Sequence, residues 1–491
     1  MPLDRRQPVL VGTGQVNHSG GDAPEPVDLL VEAARRAAAD VGRGAARLLD
    51  QIQSVRVVQL LSRRYPDPGA LVAERLGLGA IHTVYTTGGG QTPQALLDRA
   101  AAEIQAGQFD VILLGGAESW KTRNRYRARG EAVPWSVQPD DVRPTETFGE
   151  SLDMVSEHER AIGFTDPVQA YPMFETALRA KHGRTIAEQQ ALASGLWSRF
   201  SAVAATNPNA AIRTGYTPEE IATSGPANRM IGFPYPKLMN SNSSVDQAGA
   251  LLLCSVDRAR ALGIPPERWV FLHGAAEAND VYHLSNRWDL ASSPAIHAAG
   301  AAALDLAGVT IDDVAHVDLY SCFPSAVQIA AAELGLGLDR QLTVTGGLTF
   351  AGGPWNEYVM HSIATMADVL RTDPDSLGLV SANGGFLTKH AVGVYGCRPP
   401  AQGSRVTNVQ AQVDQLPRRE AAPDHRGPAS VETYTVMHDK DGKPERAFVA
   451  CLLDDGRRTI ATSDDPDRLT ILLTDWAIGM QVDVHDGRIL G

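Results

Sequence analysis

The sequence predicts an α/β fold made of two similar halves and followed by a small β unit. Strand-like and helix-like segments alternate from residue 9 to residue 114, which favours a largely parallel sheet with helices on both faces. The same order of elements recurs from Trp269 onwards. Alternating, β-branched segments separated by polar turns then follow Ser430, and they predict a barrel-like β module.

The first half opens with an apolar strand at 9–15 and an alanine-rich helix at 26–41, whose apolar positions recur every three or four residues. Later segments predict strands at 52–61, 81–86 and 109–114 and helices at 69–76 and 93–106. A polar, proline-containing region then interrupts the alternation from Ser119 to Lys237, with helical stretches at 171–181 and 185–206. We expect this region to be an insertion.

The second half repeats the first. After a helix predicted at 245–262, the strand sequence VFLHGA corresponds to VLVGTG, the helix SPAIHAAGAAALDLAGV to PVDLLVEAARRAAADVG, and LGLVSANGGF to FDVILLGGAES. The predicted units are a first half at 1–118 plus 238–267, an inserted loop domain at 119–237, a second half at 268–402, a linker at 403–429 and an additional β domain at 430–491.

Composition excludes several classes of function. The 491 residues are 43% hydrophobic and 21% charged, which is typical of a soluble globular protein. The net charge of −13 argues against nucleic acid or an anionic membrane as the main partner. The four cysteines form no CxxC pair, so neither a disulfide framework nor a metal site is expected. No apolar run approaches the ~20 residues that span a bilayer, and we expect a cytoplasmic protein without membrane insertion.

Glycine-rich turns are the first candidates for chemistry. Gly12 and Gly14 begin like a dinucleotide fingerprint but lack its third glycine, so tight packing at a strand is the better explanation. Gly88 to Gly90 lie between a β-branched strand and the start of a helix, where backbone N–H groups and the helix dipole converge. That turn suits a nucleophile or an oxyanion, but close packing explains its glycines equally well.

Five segments resemble thiolases, especially those of the sterol-carrier-protein-2 type. The segments are 91–120, 239–254 (MNSNSSVDQAGALLLC), 317–324 (VDLYSCFP), 346–354 (GGLTFAGGP) and 382–396 (ANGGFLTKHAVGVYG), in family order. Together with the extra C-terminal β domain, they resemble the group called thiolase-like protein type 1. The resemblance implies a duplicated thiolase fold in α/β/α/β/α layers, and coenzyme A (CoA) or acyl-CoA as the ligand with no tightly bound cofactor. It also implies a homodimer by family default, although the appended domain makes a monomer credible.

The residues that carry thiolase chemistry are missing. By the resemblance, the nucleophilic cysteine falls on Gly90, the histidine of the glycine-histidine-proline motif on Gly353, and the second cysteine on Ala382. A thiolase needs a thiolate to hold the acyl group and an acid/base group to form a carbanion. Glycine and alanine provide neither, so conventional thiolysis is not expected.

Three other residues are candidates for catalysis. Tyr320 and Cys322 lie in the segment that resembles the His-Asp-Cys-Phe motif of the lipid-carrier thiolases. His390 follows a glycine turn. Thiolase-related retro-aldolases resemble this chain in placing a tyrosine near that site, and they work with a β-barrel partner. The C-terminal module is then a candidate for such a partner in cis. A buried core tyrosine, a buried thiol and a structural histidine are the simpler alternatives.

Binding candidates come from the same comparison. Lys121, Arg123 and Arg125 form a basic run in an acidic chain and are expected to pair with the phosphates of CoA. Asn242 falls where thiolases place a serine that touches the pantetheine arm. A solvated basic loop is the alternative for the run. Three functions stay open: a CoA-thioester-binding, acyltransferase-related protein; a retro-aldol lyase using Tyr320; and a noncatalytic acyl-CoA-binding or protein-interaction scaffold.

Overall fold

The computed structural model describes residues 3–42 and 44–490. The first segment contains β1 (Pro8–Asn17), α1 (Pro26–Val41), α2 (Ala45–Leu49), β2 (Ser54–Val57), α3 (Pro68–Leu76), β3 (His82–Thr86), α4 (Thr92–Gln105) and β4 (Val111–Ser119). The next contains α5 (Trp120–Arg129), β5 (Glu146–Phe148), α6 (Glu157–Ala161), α7 (Pro167–Lys181), α8 (Ile186–Thr206), α9 (Pro218–Ala222), β6 (Met230–Gly232) and β7 (Tyr235–Pro236).

The remaining elements complete the core and the C-terminal region. They are β8 (Asp246–Ser255), α10 (Val256–Leu262), β9 (Phe271–Asn279), α11 (Pro294–Ala307), β10 (Val314–Asp318), α12 (Pro324–Glu333), α13 (Gly347–Phe350), α14 (Tyr358–Thr372), β11 (Leu377–Gly384) and β12 (Lys389–Gly396). After them come β13 (Arg405–Asn408), α15 (Gln410–Val413), β14 (Arg426–His438), β15 (Pro444–Leu452), β16 (Arg458–Ser463), α16 (Pro466–Leu472), β17 (Gln481–His485) and β18 (Arg488–Leu490).

Two sheets form the core, and their topologies match over four strands. The first has the order β1-β8-β4-β2-β3-β5, and the second has the order β10-β11-β12-β9-β13. In both, an antiparallel trio (β1, β8 and β4, or β9, β12 and β11) is extended by a parallel strand, β2 or β10. The predicted duplication is therefore confirmed, with β1, α1 and β4 equivalent to β9, α11 and β11.

Glycines on the first strand of each half bring the following helix unusually close. A Cβ atom at Gly14 would lie 2.0 Å from the carbonyl oxygen of Ala33 in α1, and one at Gly274 would lie 2.4 Å from that of Ala303 in α11. Real Cβ atoms do not approach backbone oxygens this closely, so only glycine fits. Close helix packing thus explains the glycine pair that begins like a dinucleotide fingerprint.

The helix predicted at 245–262 is wrong for its first part. Residues 246–255 form β8, a central strand between β1 and β4, and α10 begins only at Val256. All ten residues of β8 are buried. A strand covered on both faces has no alternation of polar and apolar residues, so its pattern resembles that of a buried helix.

The C-terminal module is a closed five-stranded barrel in which β14, β15, β16, β18 and β17 pair in a ring. The insertion contributes β6 and β7, which extend β14 on its other side. The predicted β domain also contains a helix, α16, whose Leu469 and Leu472 bury their side chains against the barrel core. An Asp465 cap followed by proline starts that helix.

The outer edge of the first sheet is covered by the inserted region. Strand β5 pairs in parallel with β3, and Val84, Tyr85 and Thr86 lie opposite Glu146, Thr147 and Phe148. Within residues 3–42 and 44–490, no helix is long and apolar enough to cross a membrane, and no three histidine, cysteine or acidic side chains gather as metal ligands.

Candidate functional site

A cavity of about 760 Å³ lies at the seam between the two halves. Its wall includes the turn between β3 and α4, the turn between β10 and α12, the loop before α14, and the turn between β11 and β12. The inserted region closes one side with Met154 and Tyr171. All the converging elements are strand or helix ends, where backbone N–H and C=O groups are available to a ligand.

Gly90 borders this cavity, and there is no room for a side chain there. A Cβ atom at Gly90 would lie 2.3 Å from the backbone oxygen of Asn383 and 2.6 Å from the phenol oxygen of Tyr320. Both distances are far inside van der Waals contact. The space of a nucleophile at residue 90 is therefore taken by a tyrosine from the other half and by the backbone of the β11–β12 turn.

Gly353 is also at the cavity wall, but it is blocked differently. A Cβ atom there would lie 2.2 Å from the hydroxyl oxygen of Ser241, while the nearest backbone oxygens, of Leu348 and Asn242, are 3.3 and 3.4 Å away. Ala382 is buried in β11 and borders a small void beside Tyr320. None of the three residues Gly90, Gly353 and Ala382 has a side chain that can act as nucleophile or base.

Tyr320 is buried at the cavity wall, only 9% exposed, with its ring edge-on to Tyr358 at 5.5 Å. No hydrogen bond of its hydroxyl is recorded among the described residues, whereas its backbone N–H donates to Ser381. Burial, and then the neighbouring Cys322, raise the pKa of Tyr320 far above its ordinary value. The phenol thus stays protonated and can donate a hydrogen bond or a proton to a ligand.

Cys322 lies at the same wall within a small polar cluster. Its thiol accepts a hydrogen bond from the Asn383 amide at 3.8 Å, and the same amide donates to the hydroxyl of Tyr171 at 2.9 Å. Burial raises the pKa of Cys322 to about 12. A thiol with that pKa is not ionised near neutral pH, so it is a weak nucleophile.

His390 lies apart from the cavity wall. Its Nε2 is 3.3 Å from Asp280 and 3.4 Å from the hydroxyl of Ser293, the N-cap residue of α11. Burial opposes the ionisation of Asp280, but the hydrogen bond and charge of His390 outweigh it, and the pKa of Asp280 falls below its ordinary value. The structure therefore brings Tyr320 and Cys322 together but directs His390 towards the buried carboxylate of Asp280.

The basic run is a helix, not the loop considered from the sequence. Lys121, Arg123 and Arg125 lie on α5, which begins at Trp120. Arg123 stacks over Trp120 at 4.7 Å and donates to the carbonyl of Leu61, a residue of the cavity wall. Arg125 donates to the carbonyl of Gly21 and is 3.7 Å from Asp22. Part of the positive charge is thus already paired.

The segment before β8 presents serines to the cavity. Ser241 and Ser243 are in its wall, and Asn242 is not among the wall residues. The backbone oxygen of Asn242 instead accepts from Gly353 N–H at 2.8 Å, and its side-chain oxygen accepts from Ser244 N–H. In this segment, the flanking serines line the cavity, and Asn242 does not.

Lys389 is a wall residue that the sequence analysis missed. It precedes His390 on β12, and adjacent residues of a strand point to opposite faces. Its Nζ donates to the carbonyl oxygen of Gly88 at 3.0 Å, in the turn that contains Gly90. Burial lowers the pKa of Lys389. The Thr-Lys-His sequence was the available signal, but it does not say which neighbour faces the cavity.

Comparison with known proteins identifies the family. A model described as the thiolase-like protein type 1 additional C-terminal domain matches residues 408–488. Over 99% of both chains, the protein is 34% identical to a monomeric SCP2-thiolase like protein type 1 from Mycobacterium smegmatis, with a TM-score of 0.84. The chain belongs to the SCP2-thiolase-like protein type 1 family.

Proteins with lower sequence identity share the thiolase-like core of this chain. The Ltp2-ChsH2(DUF35) aldolase is 20% identical, with a TM-score of 0.58 over 80% of this chain and 98% of that one. An acetyl-CoA acetyltransferase from Methanocaldococcus jannaschii is 23% identical over 267 residues, 54% of this chain and 60% of that protein. These likenesses establish a thiolase-like fold related to acetyl-CoA acetyltransferases, and they do not assign catalytic residues.

Proposed function

We propose that this family member binds a CoA thioester in the seam cavity and does not perform cysteine-dependent thiolysis. One observation carries the second part: the Cβ position of residue 90 is already filled by the Asn383 carbonyl and the Tyr320 phenol. Thiolysis requires a thiolate that attacks the acyl carbon and carries it as a thioester. Cys322, the thiol at the cavity wall, is kept protonated by burial.

The shape and charge of the site support a CoA ester as the ligand. The cavity is large enough for an acyl chain and the pantetheine arm, and Ser241 and Ser243 offer hydroxyls along its wall. Trp120, the first residue of α5, packs against Trp355, another wall residue, at 6.2 Å. Arg123 of the basic helix lies over Trp120, so this helix is next to the cavity wall and is the candidate partner of the CoA phosphates.

Calorimetry combined with a thiolysis assay tests this proposal. We expect CoA and acyl-CoA to bind, and a 3-ketoacyl-CoA mixed with CoA to give neither cleavage nor a mass increase on the protein. An acyl adduct on any cysteine together with turnover would refute the noncovalent mechanism. Absence of binding to every CoA ester would favour the noncatalytic interaction scaffold instead.

Retro-aldol cleavage of a β-hydroxyacyl-CoA is the second candidate, and the location of Tyr320 favours it. In that step a base removes the hydroxyl proton, the Cα–Cβ bond breaks to give a carbonyl product and a thioester enolate, and an acid protonates the enolate carbon. The raised pKa keeps Tyr320 protonated, so the phenol is available for the acid step and not for the base step. The Ltp2-ChsH2(DUF35) aldolase is among the structural relatives.

Substitution of the phenol tests the retro-aldol variant. Tyr320→Phe keeps the ring that packs on Tyr358 and removes only the hydroxyl. We expect CoA-ester binding to persist and aldol cleavage to fall by about 100-fold, the usual scale of general acid catalysis. Unchanged turnover in this variant would remove Tyr320 from the mechanism.

We also propose that the protein is a monomer. Thiolases usually form dimers through the sheet edge that corresponds to β3 here. In this protein, β5 of the same chain occupies that edge. The Mycobacterium smegmatis relative is described as monomeric. Sedimentation equilibrium is expected to give the mass of one chain, 52.4 kDa.

A further inference from the structure

Lys389 is a buried cation at the cavity wall without a counter-ion. Lys389 is only 7% exposed, and its Nζ donates a hydrogen bond to the carbonyl oxygen of Gly88 at 3.0 Å. Among the described residues it forms no ion pair. An ammonium group has three donors, and a neutral carbonyl compensates its charge only partly.

The rest of the cavity wall does not supply the missing negative charge. Asp166 is the acidic residue of the wall, and it lies at the exposed N-cap of α7, where Thr165 and Gln169 form its capping contacts. It is not within ion-pair distance of Lys389 in the described structure. Burial is the recorded cause of the lowered pKa of Lys389, and no charged neighbour contributes to it.

The charge of Lys389 lies against the turn that contains Gly90. Lys389 Nζ contacts the carbonyl of Gly88, and the phenol oxygen of Tyr320 is the group packed against Gly90, two residues further along the same turn. A single ligand placed over this turn can therefore meet both groups. Gly90 is buried in this turn, and the basic residues of α5 are not part of the cavity wall, so the part of the ligand that would meet Lys389 is its acyl end and not the phosphates.

We propose that Lys389 binds a carboxylate on the acyl part of the ligand, so that the cavity selects thioesters of dicarboxylic acids over plain alkanoyl thioesters. The inference rests on the proposed function, in which a CoA ester occupies this cavity. A carboxylate delivers a full negative charge and hydrogen-bond acceptors to a desolvated ammonium, which is the pairing that such a group lacks.

A pair of stable CoA thioethers tests the selection. S-(3-carboxypropyl)-CoA and S-butyl-CoA differ only in a carboxylate in place of the terminal methyl, and neither can be cleaved as a thioester. By calorimetry we expect the protein to bind the carboxylated compound about tenfold more tightly, or more, as expected for a charge-assisted hydrogen bond. Lys389→Met should abolish the preference, and Lys389→Arg should keep part of it.

The control is Lys440→Met, which removes the same charge from the exposed turn between β14 and β15. It should keep the full preference for the carboxylated compound. Equal affinity of the wild-type protein for the two thioethers would overturn the proposal, and so would a preference that survives in Lys389→Met. In both of these outcomes the proposed CoA-binding function stands.

Free glutarate separates failure of this inference from failure of the proposed function. If neither thioether binds, the CoA-binding function fails. Glutarate binding that is lost in Lys389→Met but kept in Lys440→Met would still establish a carboxylate site at Lys389. If glutarate does not bind either, the carboxylate site is refuted as well.

Discussion

Two glycine turns face the seam cavity, one before α4 and one before α14. Different groups leave no room for a side chain at each of them. At Gly90 the obstacles to a Cβ atom are a backbone carbonyl at 2.3 Å and the phenol of Tyr320 at 2.6 Å. At Gly353 the close obstacle is the hydroxyl of Ser241, which rotates about a single bond. The first turn is closed by the fold itself, and the second by one adaptable side chain.

The largest effect should come from a side chain at the first turn. We expect Gly90→Cys to lower the free energy of unfolding by about 2 to 3 kcal/mol, because neither the Asn383 backbone nor the wedged Tyr320 can retreat without strain. Thermal or urea unfolding measures the loss. The new thiol should not restore thiolysis.

The control for this substitution is Gly195→Ala in α8, where a Cβ atom meets nothing within 4 Å. It should be neutral or slightly stabilising, since alanine favours a helix over glycine. A Gly90→Cys protein as stable as wild type would mean that the seam is looser than the distances indicate.

The second turn should tolerate the same change better. We expect Gly353→Ala to cost about 1 kcal/mol or less, since Ser241 can turn its hydroxyl away and the remaining backbone contacts are 3.3 and 3.4 Å. In the double variant with Ser241→Ala, most of that loss should be recovered. A double-mutant cycle by urea unfolding measures the coupling. A cost equal to that of Gly90→Cys would erase the distinction between the two turns.

Sequence was sufficient for the duplication, because glycine-ended strands and motif order recur locally in both halves. The resemblance to thiolases singled out Gly90, Tyr320 and Cys322, and all three line one cavity. Sequence was not sufficient for β8, whose ten buried residues lack alternation. Nor did it reveal that Tyr320 fills the space beside Gly90, because that contact joins two halves whose spacing only folding fixes.

The same limit explains Lys389 and His390. Strand alternation sends adjacent residues to opposite faces, so one of them had to face the seam, but the local sequence does not specify which. The histidine is the more familiar catalytic residue, and the structure gives it a buried carboxylate instead. The pairing of β5 with β3 was equally hidden, because three residues within a polar insertion give too short a pattern to predict a strand.

Lys389 of β12 brings an unpaired charge against the first turn, and removal of this charge should raise stability. The pKa of Lys389 is lowered in the folded protein, so the unfolded chain binds more protons over a window below the ordinary lysine value of 10.5. Stability therefore rises with pH in that window and is reduced below it. We expect Lys389→Met to raise Tm at pH 7 by about 1 to 2 °C, whereas Lys440→Met should leave it unchanged.

The smallest expected effect comes from weakening the contact between β5 of the inserted region and α4 of the first half. Arg99 of α4 donates to Glu146 of β5 at 2.5 and 2.7 Å and lies over the Phe148 ring at 5.2 Å. The hydrogen bond from Arg99 is the main cause that lowers the pKa of Glu146. This stabilising contribution is present above the ordinary glutamate pKa and is lost as the pH falls through the lowered one.

Because the pair is part exposed, we expect Arg99→Ala to cost only about 0.5 to 1 kcal/mol. The consequence for assembly is more informative than the stability loss. If β5 shields β3, loosening it should make dimers appear in sedimentation equilibrium at high concentration, while Arg398→Ala, which breaks an exposed pair with Asp375, should leave a monomer. Arg99→Ala that stays monomeric while β5 becomes accessible to protease would mean that something other than this strand keeps the first half from pairing.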